Sequence, residues 1–157
     1  MAQLTGNPGI VNSDTSVVDT TQRHTLGTRA WDKDGNEYVY LQGVVSTVAG
    51  DWVVFDESYA TTRLIANEVG PVAIAMVDVD ATTEYGWYQV YGKNTIARTD
   101  TVAADAGVFI DATTGRVDDA GVAGDWVSGA ATMTADTVNV ATVWISYPFV
   151  YNNAYLT

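Results

Sequence analysis

Thr137-Val138-Asn139-Val140-Ala141-Thr142-Val143-Trp144-Ile145-Ser146-Tyr147 decides the fold class. β-Branched and aromatic residues fill this stretch, and such side chains suit a pleated surface better than a helix. Side chains on a strand alternate between faces, so Val138, Val140, Thr142 and Trp144 are expected on one side.

The same texture recurs upstream. Tyr38-Val39-Tyr40-Leu41, Trp52-Val53-Val54-Phe55, Trp87-Tyr88-Gln89-Val90-Tyr91 and Val108-Phe109-Ile110 are short apolar runs, and Val72, Ile74 and Met76 alternate with alanines. Turn residues punctuate them. Asp32-Lys33-Asp34-Gly35-Asn36 carries the Asp-Gly hairpin signal, and Gly92-Lys93-Asn94 and Thr113-Thr114-Gly115 are read as separating further strands. The one stretch with helical character, about residues 59–67, lacks caps and is not assigned as a helix. The expectation is an all-β fold, a small β-barrel or β-sandwich over residues 25–157.

Residues 1–24 differ from the rest. Hydroxyl and amide side chains dominate and compete for backbone hydrogen bonds. An extended N-terminal arm is expected here, and Leu4, Ile10, Val17 and Val18 are its candidate anchors on a partner's surface.

Composition narrows the function classes. A chain of 157 residues suits one domain. It has no cysteine, which excludes disulfides, thiolate zinc sites and cysteine nucleophiles. With 19 acidic and 7 basic residues the formal net charge is −12, a poor match for nucleic acid or an anionic membrane. The start of the sequence has neither the basic residues nor the apolar run of a signal peptide. No stretch reaches the roughly 18 apolar residues of a membrane helix.

Reactive constellations are sparse. His24 is the sole histidine and falls in the polar arm, a poor mount for a general base. Neither a Gly-x-Ser-x-Gly elbow nor a Gly-rich phosphate loop occurs. The clusters Asp78/Asp80/Glu84, Asp118/Asp119 and Asp32/Asp34/Glu37 could in principle serve glycoside hydrolysis, but each falls where turns need Asp. The segment from Asp32 to Glu37 departs from a calcium loop, with its glycine at position four and strands on both sides. No catalytic residue, cofactor or metal ligand is assigned, and the chain is not expected to be an enzyme.

Ala49-Gly50-Asp51-Trp52-Val53 is echoed by Ala123-Gly124-Asp125-Trp126-Val127. Shared turn chemistry explains the echo better than duplication, because the sequences after each copy diverge. Five Trp and nine Tyr are a further excess. Within Tyr85-Gly86-Trp87-Tyr88-Gln89-Val90-Tyr91, alternation places Tyr85, Trp87 and Tyr91 on one face and Tyr88 and Val90 on the other. A strand apolar on both sides points to core plus an oligomer or capsid interface through Tyr85, Trp87 and Tyr91, ahead of a carbohydrate platform.

A family resemblance runs through the chain after about residue 25. It is carried in order by Leu26-Gly27-Thr28, Asp34-Gly35-Asn36-Glu37-Tyr38-Val39-Tyr40, Ala49-Gly50-Asp51-Trp52-Val53 and Gly70-Pro71-Val72-Ala73-Ile74-Ala75. It continues through Tyr85 to Gly92 and Thr114-Gly115-Arg116-Val117, and ends in Val143-Trp144-Ile145-Ser146-Tyr147-Pro148. In these segments the chain resembles the head decoration, or cement, proteins of tailed bacteriophages. That resemblance implies a virion protein assembled in the host cytoplasm and placed on the outer surface of an icosahedral capsid. Its partners would be the phage major capsid protein and itself, as a homotrimer in preference to a dimer, without nucleic acid or membrane. The rival readings are a carbohydrate-binding or adhesion module of a phage fibre, and a tail-tube or connector protein.

Overall fold

The computed structural model describes residues 14–121 and 125–151. Among these the chain is all-β, with ten strands joined in one antiparallel sheet and no helix. The strands are β1 (Arg29–Trp31), β2 (Glu37–Gln42), β3 (Trp52–Phe55), β4 (Thr61–Arg63) and β5 (Gly70–Ala75). They continue as β6 (Tyr85–Arg98), β7 (Gly107–Ile110), β8 (Val117–Asp118), β9 (Trp126–Thr132) and β10 (Val140–Val150).

Three strands meet at the centre. β5 pairs with β6 at Ile74–Gln89 and Ala75–Tyr88, and with β10 at Phe149–Pro71 and Val150–Gly70. The far half of β6 pairs in turn with the first half of β10. From this junction β2 and β1 extend one flank, β9, β7 and β8 the other, and β3 with β4 attaches to β5.

The alternation read from the sequence explains why the junction is stable. On β5, Val72 and Ile74 enter one apolar cluster with Trp52, Val54, Leu64, Val143 and Ile145, while Ala73 and Ala75 enter a second with Val39, Leu41, Tyr88 and Val90. Adjacent residues of β3 divide in the same way, Trp52 and Val54 from Val53 and Phe55. Strands buried on both faces carry apolar residues at every position, which is the observed run. Tyr38, Tyr40 and Trp87 with Ala30 make a third cluster on the opposite side of β2 and β6.

Two boundaries differ from expectation. The last strand starts at Val140, because Val138 and Asn139 both adopt left-handed backbone, at φ 55° and 62°, and close a turn in which Thr137 N–H donates to Val140 C=O at 2.8 Å. Val138 is 86% exposed. The buried face of β10 is the one holding Ala141, Val143 and Ile145, so Val140, Thr142 and Trp144 face outward. Gly92-Lys93-Asn94 does not separate two strands either. It lies within the continuous β6, where Gly92 at φ 103° bends the strand around the Asn36 side chain, which would collide with any Cβ there.

The hairpin at Asp32–Asn36 forms as read, joining β1 to β2 with Trp31 opposite Glu37. Thr113-Thr114-Gly115 lies in the connection from β7 to β8. The stretch 59–67 forms β4 and turns. Both Asp-Trp-Val echoes start strands, β3 and β9, but Trp52 is fully buried whereas Trp126 is 51% exposed. Ala123 and Gly124 of the second copy lie outside the described residues.

Candidate functional site

The residues singled out in the sequence divide among three places. Leu4 and Ile10 lie outside the described residues. Val17 is 43% exposed, and Val18 packs on the cluster around Tyr88 and Val90. Residues 14–24 lie against the β domain: Asp19 exchanges backbone hydrogen bonds with Tyr85 at 2.8 and 2.9 Å. Its carboxylate accepts from the Tyr40 hydroxyl at 2.7 Å, and Arg23 N–H donates to that hydroxyl oxygen. His24 sets its ring 5.0 Å from Tyr40 and 5.4 Å from Trp87.

Trp87 is therefore covered from within its own chain, at 2% exposure. Tyr85 is half-buried and stacks on Tyr40. Of the three expected interface aromatics only Tyr91 reaches an outer aromatic group, meeting Trp144 at 5.9 Å and Tyr147 at 5.5 Å between ring centres. Trp144 and Tyr147 are 44% and 55% exposed. Tyr147 sits at φ 47° in a register shift of β10, and its hydroxyl donates a short hydrogen bond to Glu37. Arg29 holds the other oxygen of Glu37 at 3.2 Å.

Beside Tyr91 and Trp144 opens a groove of about 830 Å³ that also takes in Asp34, Asn36, Lys93 and Thr95. Two amides build its floor, Gln89 and Asn94, each 1% exposed. Asn94 donates to Gln89 at 2.9 Å, Gln89 donates to the carbonyls of Tyr91 and Lys93, and Ile96 N–H donates to Asn94. Buried amides bonded in this way fix a surface, because breaking any link leaves a polar group unsatisfied.

A second exposed feature lies at the far end of β10. Val127 stands opposite Val150, and Val150 opposite Gly70. One step beyond these pairs stand Trp126 at the start of β9, Tyr151 just after β10 and Val69 just before β5, a row at this end of the sheet, and they are 51%, 52% and 55% exposed. The Phe149 ring supports Tyr151 at 4.5 Å. Along β9 five residues separate Trp126 from Ala131, the partner of Trp144, roughly 16 Å.

The acidic clusters brace loops. Asp78 accepts from Ala49 N–H at 2.7 Å, Asp80 from Ser46 N–H, and Glu84 from Asp80 N–H at 2.8 Å. Asp119 accepts from Ala103 N–H and Asp118 from Ala120 N–H. Burial, then the neighbouring Asp111, Asp119 and Asp100, raises the Asp118 carboxyl despite that bond. Burial would also raise Asp32, but hydrogen bonds from Asn36, Tyr38 and Asp34 outweigh it and lower its pKa. Burial first, and Asp32 second, push the Tyr38 phenol far above its usual range. Among the described residues no group of three or more His, Cys, Asp or Glu is placed to hold a metal ion.

Sequence reasoning missed the row of Val69, Trp126 and Tyr151. Its members are scattered in the chain, and only strand register brings them together. Compared with known families, curated proteins and solved structures, the chain has no match.

Proposed function

We propose that the chain is a structural virion protein, a capsid decoration or cement protein that binds the outside of an icosahedral phage head. There it would stabilise contacts between major capsid subunits. The observation that carries this reading is the row of Val69, Tyr151 and Trp126, three large apolar side chains more than half exposed on a chain of net charge −12. Large exposed apolar groups brought together on one face mark a protein interface. Its acidic remainder keeps a free copy soluble. Covering each such side chain is worth about 1.5–3 kcal/mol before binding costs are subtracted. Such a contact is weak alone and strong when repeated over a lattice or within an oligomer. The order of segments resembling cement proteins supports the same assignment, and with it a homo-oligomer on the outer capsid surface.

Co-sedimentation with expanded phage heads that lack a decoration protein tests the proposal. Saturable binding, weakened at least about tenfold by Trp126→Ala in a folded protein, is the expected result. Absence of binding with folded protein in excess would contradict it.

A further inference from the structure

We propose that the groove bounded by Asp34 and Trp144 is a binding site for a neutral saccharide. This site is independent of the apolar row, which lies at the other end of β10. Its volume of about 830 Å³ falls within the roughly 300–1,000 Å³ of small-molecule sites.

The walls match the two kinds of surface on a sugar ring. A pyranose presents an apolar face of C–H groups and a rim of hydroxyls. Trp144 offers an exposed indole whose negative face attracts C–H edges, and the Tyr91 ring meets it nearly edge-on at 75° and props it in place. Opposite Trp144 in the β6–β10 register is Lys93, which is exposed. Thr95, two residues on, is likewise exposed and contributes a hydroxyl.

Asn36 adds directed capacity. Its carbonyl oxygen accepts from Lys93 N–H at 3.0 Å and its amide nitrogen donates to Asp32 at 2.8 Å. Among the described residues a second N–H and a second lone pair remain. These groups stand on the bonded Gln89–Asn94 floor and on a bend fixed by Gly92, so little ordering remains to be done on binding.

Charge selects among ligands that stack on indole. A cationic ligand would meet Lys93 beside the ring, and an anionic one would meet the field of a chain at −12, with Asp34 itself already paired with Lys33 at 2.9 Å. A neutral ring with a hydroxyl rim uses donors and acceptors of both signs without that cost.

The test is binding of the intact protein to an array of defined glycans: neutral gluco-, manno-, galacto-, xylo- and N-acetylglucosamine oligosaccharides beside sialylated and uronic-acid ones. Binding to at least one neutral series, weakened about tenfold or more by Trp144→Ala and unchanged by Trp126→Ala, is expected. Lys93→Ala and Thr95→Ala, at exposed positions, give the same readout should Trp144→Ala fail to fold. No neutral glycan bound at about 1 mM, binding confined to acidic glycans, or binding indifferent to Trp144, Lys93 and Thr95 would each overturn the proposal. Head attachment is measured separately, so either result is distinguishable from failure of the cement reading.

Discussion

Arg98 donates to the fully buried Asp51 carboxylate at 2.7 Å, joining the end of β6 to the start of β3 across 47 residues of sequence. Arg63 takes the other oxygen at 2.8 Å, and Val48 N–H adds a third bond. A buried carboxylate held by two guanidinium groups is costly to interrupt, because removing one leaves an oxygen without its charged partner. Arg98→Met should therefore destabilise the domain by about 1.5–3 kcal/mol in urea titrations, since Arg63 still holds the carboxylate. Glycan or head binding lost only in proportion to unfolding would place the triad in the scaffold.

The N-terminal segment gives a second prediction. Removing residues 1–24 should lower the melting temperature, because Asp19 and His24 cover Tyr40 and Trp87. Trp87 would become wet, and tryptophan emission should shift to the red. An unchanged melting temperature and spectrum would mean that this cover contributes nothing to the β domain.

Asp32 predicts an acid limit for the β1–β2 hairpin. Its folded pKa is lowered, so its contribution is fully present above the unfolded value near 3.9 and is lost as pH falls through the folded value. Asp32→Asn should flatten the acid limb of the stability curve below about pH 4. An acid limb identical in the variant and wild type would contradict this.

Asp118 has the opposite sign. Its folded pKa is raised, first by burial and then by neighbouring carboxylates, so its contribution is largest at acid pH and is lost as pH rises through the folded value. Asp118→Asn keeps an acceptor for Ala120 N–H and removes the charge. Melting temperature should rise at pH 7, with the gain vanishing below the carboxylate range. A gain independent of pH would point to a packing effect instead.

Much of the β architecture was legible because the runs around Val39, Val53, Ile74 and Tyr88 alternate between two apolar clusters. Local chemistry also placed the hairpin at Asp32–Asn36. What failed was tied to distant partners. Gly92 looked like a turn, and only the Asn36 side chain pressed against it explains a bend inside one strand. Trp87 looked available because the cover over it, His24 and Tyr40, belongs to other segments. Trp126 carried no sign of exposure, since the same Asp-Trp-Val wording buries Trp52.

The central claim is attachment to a capsid through the face bearing Val69, Trp126 and Tyr151. Electron cryomicroscopy of expanded phage heads mixed with the intact protein tests it most directly. The account predicts ordered density at symmetry positions on the outer shell, with that face turned to the capsid, and its loss with Trp126→Ala. Bare heads at saturating wild-type protein, or copies docked with Trp126 turned to solvent, would contradict it.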